Sequence, residues 1–394
     1  MCYYLPVIKR ELAAKLKSAV KKFPIVGIVG PRQSGKTTLA KSVFPEYRYV
    51  NLEEPDVRQF AQDDPRGFLE IYSARTIIDE VQRVPDLFSY LQAHVDRNKE
   101  SGQYILTGSQ NFSLMEKISQ SLAGRISLFN LPPLSYTELI KAKIKFSDYS
   151  EYIIKGGYPR VFSKKIKPSD WYPNYIQTYI ERDLRNMQNL TDLGTFQIFV
   201  KLCAGRVGQT VNLSSLGQDA GISHNTVKQW LSLLQAGFII FFLPPYFKNF
   251  NKRLVKAPKL YFLDTGLATW LLGIENNNQL KQHFALGNLF ENWIILEYLK
   301  NRFNSGKSTN TYFWRDKTGH EVDLLTVSEG KLSAVEIKSG KTFNRNYIDN
   351  INYLNKVSKE KIDKNFIIYG GETDQIRNNL LIYGWKSLPK LLAQ

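Results

Sequence analysis

Apolar residues fall in short unbroken runs along the first third of the chain. Ile25–Val29 ends at Gly30. Thr76–Asp79 gives way to polar residues, Tyr104–Leu106 ends in Thr107-Gly108-Ser109, and Ile126–Leu131 is stopped by Pro132 and Pro133. Continuous apolar runs bounded by turn residues suit strands buried on both faces of a parallel sheet. The stretches between them are longer and have a helical period: in Asp86–Asp96, Leu87, Leu91 and Val95 share one face. Strands alternating with helices predict an α/β domain.

Further on the pattern changes twice. Thr191–Leu243 reads as mostly helical and becomes strand-like at Phe238–Leu243. A helical pattern over Leu286–Leu299 opens a third region, followed by strand patterns at Thr311–Trp314, Glu321–Val327, Leu332–Lys338 and Asn365–Tyr369. Polar stretches at Ser163–Asp170 and Glu275–Gln282 suggest boundaries, so the expected domains are residues 1–160, 161–278 and 279–394. A chain of 394 residues is long enough for two or three cores.

Composition narrows the class. Hydrophobic residues are 43% and charged residues 23% of the chain, which excludes a disordered or fibrous protein. Two cysteines, Cys2 and Cys203, cannot build a disulfide framework and fit a reducing, cytoplasmic setting. The longest apolar run, Gly237–Phe247, is broken by Pro244 and Pro245, shorter than a membrane span requires, and Met1–Arg10 lacks a signal-peptide layout, so no membrane association is expected. The net charge is +17, and residues 136–255 carry 16 basic against 8 acidic side chains, close to half the surplus. A basic excess concentrated in one region points to nucleic acid, although solubility alone also accounts for such charge.

Gly30-Pro31-Arg32-Gln33-Ser34-Gly35-Lys36-Thr37 has the G-x-x-x-x-G-K-[ST] spacing, between an apolar run and a helix that continues through Thr38. Small residues let backbone N–H groups surround phosphate oxygens, the lysine neutralises the β- and γ-phosphates, and the threonine hydroxyl reaches Mg²⁺. Helix dipole and free N–H groups add to the attraction. ATP with Mg²⁺ is therefore the expected ligand. Asp79 and Glu80, at the end of an apolar run, suit the remaining roles: Asp79 on the metal, Glu80 polarising the attacking water. Ser109, Gln110 and Asn111 close the next run at the ligand-binding edge of such a sheet and could sense the γ-phosphate. Arg125, in Leu122-Ala123-Gly124-Arg125, is a candidate arginine finger or sensor.

With these motifs in place, the chain resembles the large prokaryotic family of AAA-type ATPases that carry a C-terminal domain of unknown function. The matching stretches are Gly30–Thr37, Ile77–Pro85, Ile105–Ser109, Leu122–Arg125, Pro133–Glu138, Gly156–Pro159, Tyr179–Asp183 and Phe290–Glu291. The resemblance implies an AAA+-like P-loop core and a homo-oligomer, in which an arginine of a neighbouring subunit can reach the γ-phosphate.

Two further constellations follow. Leu213–Ala220, Gly221-Ile222-Ser223 and His224–Leu234 read as helix, turn, helix, with Leu216, Ala220, Ile222, Val227 and Leu231 at core spacing. Ser223 can cap the second helix. His224, Asn225, Lys228 and Gln229 would then face outward, and Phe238–Leu243 followed by Pro244–Arg253 would form a wing with Lys248, Lys252 and Arg253 near its tip. This is a winged helix that binds DNA, or one used for protein contacts.

In the last region Glu321 and Asp323 share one strand face, as do Glu336 and Lys338, across a turn at Ser328–Lys331. Carboxylates so placed bind Mg²⁺, and a lysine steadies an attacking hydroxide. The arrangement resembles a restriction-endonuclease-like core. By matching positions, Asp323, Glu336 and Lys338 would be metal and catalytic residues, with Glu291 as an acid on the preceding helix. The four histidines are scattered and no cysteine joins them, which argues against zinc.

The reading is an α/β chain made of a P-loop AAA+-like ATPase core, a winged helix-turn-helix and a C-terminal restriction-endonuclease-like domain. It would bind and hydrolyse ATP and act on DNA, with Mg²⁺-dependent cleavage open. The rival is a nucleotide-gated switch or scaffold whose nuclease-like domain does not cut.

Overall fold

The fold comes from a computed structural model, which describes residues 7–109, 121–178, 192–247, 256–377 and 380–394. The first sheet is five-stranded and all parallel, in the order β2-β3-β4-β1-β5, with β1 Ile25–Val29, β2 Arg48–Asn51, β3 Thr76–Asp79, β4 Tyr104–Gly108 and β5 Ile126–Asn130. Four of these strands were anticipated. The fifth, β2, lies at the sheet edge and buries only Val50 fully, so it lacks an apolar run. The pairing register aligns Val29 with Gly108 and Asn130, and Asn51 with Asp79. The ends of β1, β3 and β4 thus open onto one edge of the sheet, where ligands bind in such folds. Helix α1, Lys36–Val43, follows β1 at that edge, and α2, Leu87–Asn98, buries Leu87, Phe88, Leu91 and Val95 as its period requires.

In the middle of the chain, α3 (Leu213–Ala220) and α4 (His224–Ala236) meet at Gly221, whose φ of 67° places it in the left-handed region that favours glycine. Ser223 Oγ accepts the Thr226 N–H at 3.1 Å and caps α4. Leu216, Ala220, Val227 and Leu231 are buried beneath the pair. Strands β6 (Ile240–Leu243) and β7 (Lys259–Phe262) then pair antiparallel, Ile240 opposite Phe262 and Leu243 opposite Lys259. Strand β7 was not anticipated.

The last region is a six-stranded mixed sheet in the order β12-β13-β11-β10-β9-β8. Its strands are β8 Thr311–Arg315, β9 Glu321–Ser328, β10 Lys331–Lys338, β11 Ile362–Tyr369, β12 Gln375–Arg377 and β13 Leu380–Gly384. β10 and β11 run parallel, while β9 and β10 form a hairpin. Both residues of its two-residue turn, Glu329 and Gly330, have positive φ (52° and 75°), the conformation whose twist matches the flanking strands.

The long helix α5, Leu286–Asn304, is buried along most of its length, and its buried residues include the polar Asn292, Glu297, Lys300 and Asn304. It joins the regions: one continuous apolar cluster runs from Leu134 through the middle helices to Leu391. At its centre Tyr136, Tyr152, Trp293 and Trp385 pack with ring centroids 5.2–6.3 Å apart. Large buried side chains of this kind stabilise by about 1.5–3 kcal/mol each. Within the cluster Lys300 and Glu297 pair at 2.9 Å, and Glu297 also accepts from the Tyr152 hydroxyl and the Tyr136 N–H. A second tie runs through Asp264, which accepts from Gly157 N–H and Tyr172 hydroxyl at 2.7 and 2.6 Å. A Cβ at Gly156, φ 65°, would collide with both Asp264 and Tyr172, which explains the glycine there. Among the described residues no helix is long and apolar enough to cross a membrane.

Candidate functional sites

The Gly30–Thr37 loop leaves β1 and enters α1 through two positive-φ residues, Gln33 (62°) and Gly35 (94°). These turns curl the loop so that successive backbone N–H groups converge. Lys36 Nζ lies inside the curl, 3.1 Å from Gly30 O and 2.9 Å from Pro31 O. Burial lowers its ammonium to about 8, against the opposing charges of Glu80 and Asp79. Ser34 is fully buried and its Oγ has no hydrogen-bond partner among the described residues. An orphaned hydroxyl and a buried ammonium under a curl of N–H groups form a pocket that fits phosphate. Thr38, at the third position of α1, is exposed, and Arg32 reaches towards Glu53.

Asp79 ends β3 beside this loop. Its Oδ2 accepts from Thr37 Oγ1 and from the Tyr49 hydroxyl, each at 2.8 Å, and its Oδ1 from Thr107. Thr37 and Asp79 therefore face one another, as two oxygen donors to one Mg²⁺ must. Glu80 follows with φ 55°, which swings its side chain off the strand. Its Oε1 accepts from Ser109 Oγ at 2.7 Å and its Oε2 from Gln82. The sequence left Ser109, Gln110 and Asn111 unresolved. The structure puts the Ser109 hydroxyl on the Glu80 carboxylate, while Gln110 and Asn111 lie outside the described residues.

Sequence reading missed two loop contacts. Tyr49, from the unanticipated edge strand, holds Asp79. Arg10 donates from Nη1 to Ser34 O at 2.7 Å, from Nη2 to Pro132 O at 2.6 Å, and from Nε to Glu138 at 3.0 Å. Glu138 in turn closes a capping box with Ser135. The Pro133–Glu138 stretch thereby braces the loop through Arg10. An isolated arginine near the N-terminus gives no sequence signal of this.

Arg125 requires a correction. It precedes β5, and its carbonyl accepts the N–H of Ile25, the first residue of β1. That is the opposite end of the sheet from Gly30, about 16 Å along the strand at roughly 3.3 Å per residue. Its guanidinium pairs with Asp96 at 2.6 Å. A sensor role at its own subunit's loop does not fit this position.

On α4, His224, Asn225, Lys228 and Gln229 are all exposed. Lys248, Lys252 and Arg253 lie outside the described residues, as does Tyr179–Asp183.

In the last sheet, Glu291 from α5 and Glu321 and Asp323 from β9 bring one carboxylate oxygen each within 4.8 Å of one another. Asp323 Oδ2 accepts from Ile337 N–H at 2.7 Å and from Lys338 Nζ at 3.2 Å, and Lys338 lies 2.7 Å from Glu336 Oε1. Of the residues read from the sequence, Asp323, Glu336 and Lys338 lie together, while Glu291 groups with Glu321 on the other side of Asp323. Glu336 is 1% exposed, and its Oε2 has no hydrogen-bond partner among the described residues. Burial raises its carboxyl, and the neighbouring Asp323 adds to the rise. An all-oxygen donor set with one orphaned buried oxygen fits a hard divalent cation such as Mg²⁺. The feature the sequence concealed is Lys259: its ammonium enters the cluster from β7, 2.8 Å from Glu291 and in contact with Glu321.

Comparison with known proteins matches three stretches of the chain to family models. An AAA domain model matches residues 22–140. Two domains of unknown function (DUF8612 and DUF4143) match residues 146–278 and 286–388. The chain is 31% identical over 339 residues to the uncharacterized proteins Rv2008c of Mycobacterium tuberculosis and Mb2031c of Mycobacterium bovis, spanning 85% of this chain and 74% of each relative. It is 22% identical over 358 residues to the uncharacterized protein MJ1544 of Methanocaldococcus jannaschii, spanning 82% of this chain and 76% of the relative. Among solved structures, a Walker-type ATPase of Pyrococcus abyssi aligns with a TM-score of 0.46 at 13% identity, over 66% of this chain and 95% of that one.

Proposed function

Since this chain belongs to one family with the mycobacterial proteins Rv2008c and Mb2031c, and carries an AAA-type P-loop ATPase domain, we propose that it hydrolyses ATP in order to act on DNA. The observation that carries the ATPase reading is the joint geometry of Thr37 on Asp79 and Ser109 on Glu80 at one sheet edge. The backbone of Gly30–Gly35 and the ammonium of Lys36 bind the phosphates; Thr37 and Asp79 hold Mg²⁺. The metal, when bound, neutralises charge on the β- and γ-phosphate oxygens. Glu80, fixed by Ser109 and Gln82, takes a proton from water as the water oxygen attacks the γ-phosphorus. The bond to the β–γ bridging oxygen breaks, and ADP leaves with that oxygen. Arg125 acts on the γ-phosphate of an adjoining subunit, which makes the active form an oligomer.

The exposed face of α4, with His224, Asn225 and Lys228, is the DNA-contacting side of a helix-turn-helix, and Lys252 and Arg253 would add phosphate contacts. The C-terminal sheet is a restriction-endonuclease-like centre in which Asp323 and Glu336 hold Mg²⁺ and Lys338 orients the attacking water. The orphaned oxygen of Glu336 supports this metal reading. A second reading, a nucleotide-gated switch without cleavage, is favoured by one observation: Lys259 and Lys338 already neutralise much of the acidic charge.

Two assays test the proposal. ATP titration of the full chain should give binding that Lys36→Ala abolishes; tight binding by Lys36→Ala overturns the ATP site. Plasmid incubated with Mg²⁺ should be cut by the parent and left intact by Asp323→Ala and Lys338→Ala. No cutting by any of them selects the switch.

A further inference from the structure

Glu291, Glu321 and Asp323 place three carboxylate oxygens within 4.8 Å of one another, and Glu336 lies beside Asp323. Like charges so close, and shielded from water, need cations among them. The chain supplies a lysine on each side, and Arg315 reaches the outer oxygen of Glu321 at 3.4 Å. Lys338, from the same hairpin as Asp323 and Glu336, serves that pair. Lys259 serves the other: it is 2% exposed, 2.8 Å from Glu291 Oε1 and in contact with Glu321. Tyr261, two residues along β7 on the same face, donates its hydroxyl to the same Glu291 oxygen.

Lys259 is not free to leave. Its backbone is pinned between Leu243 on β6 and the bridge to Thr210. Its ammonium has three donors and no acceptor, so it competes with a metal ion for the same oxygens. Between the two halves the structure differs in one respect. Glu291 Oε1 accepts from both Lys259 and Tyr261, whereas Glu336 Oε2 is buried without a partner among the described residues.

We infer that Lys259 is the built-in cation of the Glu291–Glu321 half, so that the acidic centre takes a single divalent cation, held by Asp323 and Glu336. This rests on the metal-binding reading of the C-terminal sheet given above. A protein that lacked the Lys259 ammonium would offer a second position, bounded by Glu291, Glu321 and Asp323. The lysine comes from the strand that follows Lys252 and Arg253, the proposed phosphate contacts, so the charge state of the centre is set partly by the middle region.

Mn²⁺ binding to the full chain tests this, counted by the loss of the free-ion electron paramagnetic resonance signal. Asp79→Asn without nucleotide serves as the background, so that the P-loop edge contributes no ion. That background should bind one Mn²⁺, Asp323→Asn should remove it, and Lys259→Met should raise the count to two. One ion in Lys259→Met, or two with Lys259 intact, overturns the inference while leaving the metal reading standing. No ion in any variant overturns both. Lys259→Met leaves the buried Glu291 carboxylate without its cation and can fail to fold, so Glu321→Gln provides a milder variant, since Glu321 is partly exposed and also faces Arg315. Glu321→Gln should still bind one Mn²⁺; loss of the ion there would put the metal among Glu291, Glu321 and Asp323, contrary to the inference.

Discussion

Ser109 Oγ donates to Glu80 Oε1 at 2.7 Å, which joins the end of β4 to the residue proposed to activate water. Hydrogen bonds to charged groups contribute about 1.5–3 kcal/mol. Ser109→Ala frees one side of the carboxylate, so kcat for ATP should fall about 10–100-fold. ATP affinity should change little, because the Ser109 hydroxyl is spent on Glu80. Steady-state phosphate release and equilibrium ATP titration separate the two effects.

Lys36 gives a pH signature. Its ammonium is lowered to about 8 by burial in the folded chain, from 10.5 in an unfolded one. Between those values the unfolded chain holds more protons, so the group's contribution to stability improves as pH rises from about 8 and levels off near 10.5. Bound phosphate restores the charge. At pH 9, ATP binding should therefore take up most of one proton, seen as a calorimetric enthalpy that varies with the ionisation enthalpy of the buffer. Identical enthalpies in all buffers would contradict the assignment of Lys36 to the phosphates.

Because Arg125 lies at the sheet end remote from its own Gly30–Thr37 loop, its effect on hydrolysis has to be exerted on a neighbour. Arg125→Ala and Lys36→Ala should each be inactive alone. Mixed and allowed to exchange subunits, they should recover part of the activity, since an intact Lys36 on one subunit meets an intact Arg125 on the next. Absence of recovery in an exchanging mixture argues against the neighbour role.

Lys300 and Glu297 are both almost fully buried, where the α5 helix packs on Tyr136 and Tyr152. Lys300→Met leaves the Glu297 carboxylate inside without its cation and should cost about 3–5 kcal/mol of stability. Adding Glu297→Gln should recover a large part of that loss. Denaturant titration of the two variants checks the order.

How much of this the sequence disclosed depends on how local each signal is. The strands β1, β3 and β4 were legible because burial on both faces demands apolar runs, and the loop between β1 and α1 carries its chemistry in consecutive residues. The Glu321–Lys338 hairpin was legible for a similar reason: period-two spacing fixes which carboxylates share a face. Edge strand β2 was not, since only Val50 is buried. Lys259 was not, because its partners Glu291 and Glu321 arrive from other elements, and a lysine beginning an apolar strand reads as surface. Arg10 and Tyr49 escaped for the same reason, and the wrong end of β1 was open to Arg125 until the parallel register was known.

The central claim is that Glu80 acts in hydrolysis at a site assembled by Lys36, Thr37 and Asp79. The most direct test is the rate of phosphate release from ATP by Glu80→Gln beside its ATP affinity. The account predicts affinity at or above that of the parent with turnover reduced at least a hundredfold, within the range for removal of a general base. Turnover at the parent rate with undiminished binding would contradict it.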